Sequence, residues 1–156
     1  VLRRYRSLRE RPQVRLPNPN ATSGRRPPEQ LDDGVLAQLQ TVFDEAAALD
    51  DREDHLGALR VWERVWDLLP EPTREWAWSA TIYGGIGESL SWLGDHAMAE
   101  LAFRFALRCP GGEQPVTLAR IAQCVERRGD DETAARFWER AEAAQSGITE
   151  LARQED

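Results

Sequence analysis

Three stretches of the chain can be laid over one another without a gap: "EDHLGALRVWERVWDLLP", "GDHAMAELAFRFALRCP" and "GDDETAARFWERAEAA". Five residues after Glu53, Gly94 and Gly129 stand Ala58, Ala99 and Ala134. Four further on come Trp62, Phe103 and Trp138, and three beyond those Val65, Ala106 and Ala141. The alanines are 41 and 35 residues apart. A unit that recurs at such intervals packs mainly on its neighbours, so its small and bulky residues recur wherever one element crosses the next.

The elements themselves read as helices. In "PPEQLDDGVLAQLQTVFDEAAAL" the residues Leu36, Leu39, Phe43 and Ala46 fall at spacings of three and four, which is one helical face. "LGALRVWERVWDLL" does the same with Leu56, Leu59, Trp62, Val65, Trp66 and Leu69, and Pro70 and Pro72 end it because proline cannot continue a helix. "REWAWSATIYGGIGESLSWL", "HAMAELAFRFALR", "PVTLARIAQCVERR" and "DETAARFWERAEAAQ" follow, separated by "GD" or "PGG". Nothing in the body alternates as a strand would.

On these residues the chain resembles the tetratricopeptide repeat family, whose unit of about 34 residues is a helix hairpin with small residues at the close crossing and an aromatic beside them. The resemblance covers residues 35–145 and implies an all-α right-handed superhelix of three hairpins, with repeats at about 35–70, 75–110 and 114–146 inside a domain of residues 28–156. A short terminal cap is expected near Ile148 and Leu151. The segment "FRFALRCPGGEQPVTLARIAQCVERRGD" is similar to one found in small bacterial three-repeat proteins with "PGG…NP…LRLGQ" between their second and third units; here Gln114 replaces the Asn and Ala122 the Gly. The first unit departs most from the family, with Glu53 in place of the turn glycine and no clear counterpart in its first helix to the crossing glycine of the second unit.

That crossing glycine explains "YGGIGES". The stretch lacks the Lys of a phosphate-binding loop, Glu88 standing in its place, and no strand precedes it as a dinucleotide-binding turn needs. Seven residues before Gly94 is Gly87, preceded by Ile86, so the stretch lies inside a helix whose core face is Trp76, Ala80, Tyr83, Ile86, Gly87 and Leu90. Interior glycine costs about 1 kcal/mol against alanine. Gly84 and Gly85, near the opposite face, therefore call for a ligand or a neighbouring helix that approaches closely.

Ahead of the repeats, residues 1–27 are rich in Arg, Pro and Asn and keep no apolar period after a short helical stretch at 2–10, which reads as a basic flexible arm. Eight arginines against Glu10 and Glu29 give +6 over residues 1–29, leaving −13 for residues 30–156 of the overall −7. All 20 basic residues are Arg, a usage that points to a bacterial genome of high GC content. Nucleic-acid contact is expected, if anywhere, through this arm alone. Cys109 and Cys124 form no C-x-x-C pair and suit a reducing compartment, no apolar run is long enough for a membrane span, and a cytoplasmic location is expected.

No enzyme chemistry stands out. His55 and His96 sit at equivalent turns, which argues for a structural role, and the cluster Asp50, Asp51, Glu53, Asp54 lacks the spacing of a calcium loop. Neither cysteine has a histidine near it in sequence, and neither HExxH nor GxSxG occurs. No catalytic activity, metal or cofactor is expected. Binding is the better prospect, because stacked hairpins form a concave face from the first helix of each unit. At 100° per residue, Trp78, Thr81, Gly85, Glu88 and Trp92 lie opposite the core face of the second unit. A shift of 35 residues gives Val116, Arg120, Gln123 and Arg127 in the third. Some family members of this size are immunity proteins. The resemblance thus implies protein binding, either as an immunity or inhibitor protein whose acidic body occludes a basic toxin, or as a scaffold or adaptor that cradles a peptide.

Overall fold

The computed structural model describes residues 12–24 and 28–155; the short helix expected at residues 2–10 lies outside them. Seven α-helices and no strand occur among the described residues. They are α1 (Asp33–Asp51), α2 (His55–Glu63), α3 (Ala77–Trp92), α4 (His96–Ala106), α5 (Pro115–Arg127), α6 (Asp131–Ala144) and α7 (Ile148–Gln154). None is long and apolar enough to cross a membrane.

The turns of the three aligned segments are one structure built three times. Glu53, Gly94 and Gly129 adopt left-handed backbone angles, with φ of 60°, 85° and 83°. The next residue, Asp54, Asp95 or Asp130, closes a longer bond from its own N–H to Leu49, Leu90 or Val125 at 2.9, 2.9 and 3.2 Å. This satisfies carbonyls that a helix end otherwise leaves open. The same aspartates then cap the following helix, their carboxylates accepting from the N–H of Gly57, Met98 and Thr133 at 3.0, 3.3 and 3.1 Å. At α5 the chain uses another device: Pro115 occupies the first helical position, where its missing N–H costs nothing.

These turns fold α1 on α2, α3 on α4 and α5 on α6, while α2 packs on α3 and α4 on α5. The first helices of adjacent pairs also meet, through Phe43 against Trp78 and Glu88 against Arg120. All nine aligned positions are buried, Ala58, Ala99 and Ala134 at 1 % exposure or less. Trp62, Phe103 and Trp138 beside them are each nearly covered, a burial that contributes about 1.5–3 kcal/mol for a large apolar side chain. Gly87 has the expected reason for its missing side chain, since a Cβ there would stand 2.6 Å from the Phe103 ring on α4. The first helix does have its counterpart: seven residues before Glu53 is Ala46, fully buried, and Ala122 takes the same place in α5. An alanine is small enough for those crossings.

Two expectations are corrected. The helix expected to run to Leu69 ends at Glu63, and the chain tightens into a 3-10 turn at Trp66–Leu68. The tightening turns the Trp66 ring onto Tyr83, with centroids 4.6 Å apart. The flexible-arm reading does not hold for residues 12–20, which run over α2 and α3 without helix or strand and turn at residues 19–20, with Pro19 fully buried and Val14 and Leu16 packed on the core. An extended segment needs no helical period to deliver apolar side chains, which is why the pattern concealed it. This strap sits on Trp66 and Tyr83, not on Trp78 and Trp92.

At the other end, α7 packs on α5 and α6. Ile148 and Ala152 are buried there while Leu151 is exposed. Glu142 holds the start of the helix by accepting from the N–H of Gly147 at 2.6 Å and from the Thr149 hydroxyl at 2.9 Å, bonds that keep its carboxyl below the usual value.

Candidate functional site

The face built from α1, α3 and α5 carries two clefts of about 240 Å³ each. One lies between α1 and α3 and is lined by Gln40, Phe43, Ala77, Trp78 and Thr81. The other lies between α3 and α5, with Thr81, Gly84, Gly85 and Glu88 on one side and Val116, Thr117 and Arg120 on the other. Gln114 and Gly112, from the turn before α5, close its end. Thr81 lines both, so the two clefts lie side by side along α3.

The helices place these residues by their period. Positions 77, 78, 81, 84, 85 and 88 gather on one face of α3, and Tyr83 points the opposite way, about 200° from Thr81 at 100° per residue. The floor of the second cleft is open because of Gly84, where an added Cβ would meet no atom within 4 Å. Gly85 differs: a Cβ there would overlap the Trp62 indole, so this glycine exists for the neighbouring helix α2 and leaves little room for a ligand.

Charge in the second cleft is organised around Arg120. Its guanidinium pairs with Glu88 at 2.7 Å and Glu155 at 2.6 Å, and donates to Gln123 Oε1 at 3.0 Å. Burial opposes the charge on Arg120, but the two carboxylates outweigh it and hold the pKa above the usual arginine value. Gln123 is 7 % exposed, and its amide donates to the Ala152 carbonyl at 2.9 Å, so it fastens α7 to α5.

Of the nine residues expected on this face, Trp78, Thr81, Gly85, Glu88, Val116 and Arg120 line the clefts. Trp78 is partly covered by Phe43, ring centroids 6.4 Å apart. Trp92 is 44 % exposed yet lines neither cleft; its ring stacks on His55 at 5.3 Å, with planes 7° apart. Gln123 is removed from the face by α7, and Arg127 lies exposed at the end of α5, also away from both clefts. Sequence reasoning did not place Gln40, Phe43 and Thr117 on this face. Carried back by the 41 residues between Ala58 and Ala99, Thr81 falls on Gln40, whereas Phe43, 39 % exposed, takes the place of Gly84.

The remaining reactive groups lie elsewhere. His55 Nδ1 is 2.9 Å from Asp50 Oδ1 at the α1–α2 turn, outside both clefts. Burial raises the Asp50 carboxyl, against the pull of His55. Burial also pushes the Cys109 thiol up to about 11 and the Cys124 thiol to about 12, so neither forms a thiolate near neutral pH. Among the described residues no three His, Cys, Asp or Glu side chains are grouped to hold a metal ion. The sequence matches no protein-family model and no curated protein.

Proposed function

We propose that the chain is a non-enzymatic protein-binding module, a right-handed superhelix of three tetratricopeptide-like hairpins that holds an extended peptide along the face of α1, α3 and α5. One observation carries this reading: two clefts, one between α1 and α3 and one between α3 and α5, adjoin at Thr81 and so line up across three successive first helices. With helix axes about 8–10 Å apart and about 3.3 Å per extended residue, the groove fits about six residues of peptide. The end at Phe43 and Trp78 suits an apolar side chain, and the open floor at Gly84 lets a backbone approach α3 closely. The paired Glu88 and Arg120 offer a polar wall.

A scaffold or adaptor role fits this shape better than an inhibitor that covers the broad basic surface of a toxin. The immunity reading rests on the −13 of residues 30–156 and on the resemblance in sequence. The protein is proposed to work in the cytoplasm, where two buried cysteines stay unpaired.

The test is a selection of displayed peptides on the intact chain, followed by Gly84→Leu. A Cβ at this position meets no atom within 4 Å, and the position lines the cleft. Selected peptides should lose at least tenfold in affinity with helicity unchanged. Equal binding to both proteins would remove the groove as the site. Arg120→Glu is a poorer probe, because it would leave three carboxylates together and unfasten α7.

A further inference from the structure

Residues 12–20 lie on the opposite side of α3 from the two clefts. The strap of residues 12–20 is held there mainly through its backbone, at alternate carbonyls. Arg60 Nη1 donates to Gln13 O at 2.8 Å, Trp66 Nε1 to Arg15 O at 3.0 Å, Tyr83 Oη to Pro17 O, and the Arg74 N–H to Pro19 O at 3.1 Å. The Arg15 N–H in turn donates to Glu63 Oε1 at 2.7 Å. In extended chain every second residue faces the same way, so the donors to Gln13, Arg15 and Pro17 read the backbone itself, and the fourth holds the turn at Pro19. The side chains add a pattern: Val14 and Leu16 against the core, Pro19 buried, and Arg15 paired with Asp67 at 2.8 Å.

Two of the four donors also have a partner outside the strap. The Tyr83 hydroxyl has Thr73 Oγ1 at 3.1 Å, and Arg60 has Glu63 at 2.6 Å. Loss of the strap therefore leaves these two groups paired, while Trp66 Nε1 and the Arg74 N–H turn to water in place of Arg15 O and Pro19 O. The strap is joined to α1 through residues 21–24, all exposed, and 28–30, also exposed.

We propose that this slot is a peptide-binding site for a partner protein's extended segment of the pattern apolar–basic–apolar–Pro–x–Pro, occupied in cis by residues 14–19 as a tethered competitor. Tethering gives the strap a millimolar effective concentration. A free copy of the same segment therefore cannot displace it at ordinary concentrations, and only a tighter partner segment enters.

The experiment uses the full chain with a protease recognition sequence at the exposed residues 21–24, folded first and then cut. The probe is a labelled synthetic peptide of residues 12–20. The cut strap should exchange with the probe while helicity is kept. The uncut chain should bind the probe at least a hundredfold more weakly. A Pro19→Asp probe should bind the cut protein at least tenfold more weakly, and Tyr83→Phe in the protein should lower affinity for the unaltered probe severalfold. A strap that never exchanges after cutting, or a body that unfolds when the strap leaves, would make residues 12–20 part of the fold and overturn the proposal. A concentration-dependent dimer of the uncut chain with exchanged straps would overturn it too, since the occupant would then be a second copy.

Discussion

Glu53 is the one residue of the three equivalent turns that pays for a side chain in a left-handed conformation, and replacing it tests the repeat register directly. Its φ is 60°, whereas Gly94 and Gly129 carry 85° and 83° at the matching positions. A residue with a Cβ is disfavoured there by about 1–2 kcal/mol. Glycine escapes this but loses about 0.5–1 kcal/mol in backbone freedom on folding. Glu53→Gly should therefore stabilise the protein by about 0.5–1 kcal/mol, or about 1–4 °C in Tm for a chain of this size. The side chain is exposed, so few contacts leave with it. Its charge is a second variable, because Asp50, Asp51 and Asp54 surround it in sequence. Glu53→Ala separates the two effects, since it removes the charge and keeps the Cβ. Thermal unfolding followed by circular dichroism should rank glycine above alanine. An alanine variant as stable as the glycine variant would mean that charge relief accounts for the gain and that the backbone argument is wrong.

Gly84→Ala should raise stability by about 0.5–1 kcal/mol, because its Cβ meets nothing and alanine is the better helix former. Gly87→Ala should lower it by about 1–3 kcal/mol, the methyl being forced against the Phe103 ring; urea titration of the pair measures both. Ala99→Arg should abolish folding by placing a charge at a fully buried crossing, and a fully helical variant by circular dichroism would refute the register. The Glu142 carboxyl has a lowered pKa because it accepts from the N–H groups of Gly147 and Thr149 and from the Thr149 hydroxyl. Its contribution to holding α7 is present above the unfolded carboxylate value near 4.5 and is lost as pH falls through the lower folded value. Amide exchange over residues 147–154 should accelerate in that window, and Glu142→Gln should remove the pH dependence.

The helical body was legible because its residues answer to one another at a fixed spacing. Ala58, Ala99 and Ala134, the aromatics after them and the aspartates before them each mark the same point of a turn or crossing. Ala46 stood on the expected apolar face, but its place at the crossing is not marked by a glycine, because any small residue suffices there. The site was legible in part. A helical wheel put Thr81, Glu88 and Arg120 on the side where the clefts lie, but it treats every helix as bare on its outer side. It could not show that α7 covers Gln123, that the Trp62 indole fills the space over Gly85, or that Trp92 turns to stack on His55. The strap left no signal of its own, because what fixes it is a row of donors contributed by Arg60, Trp66, Arg74 and Tyr83, far along the chain.

That distance bears on how the protein is made. Pro17 accepts from Tyr83, 66 residues later, whereas the helix pairs close over short turns. During synthesis at about 5–20 residues per second, the strap emerges roughly 3–13 s before its last donor exists. For that interval Val14 and Leu16 are an apolar, extended segment with nothing to cover them, the kind of stretch that pairs with another chain. Pro17 and Pro19 lack the N–H that such pairing requires, and Arg15 sets a charge between the two apolar residues. The residues that make the strap fit its slot thus also keep it solitary until the slot has formed.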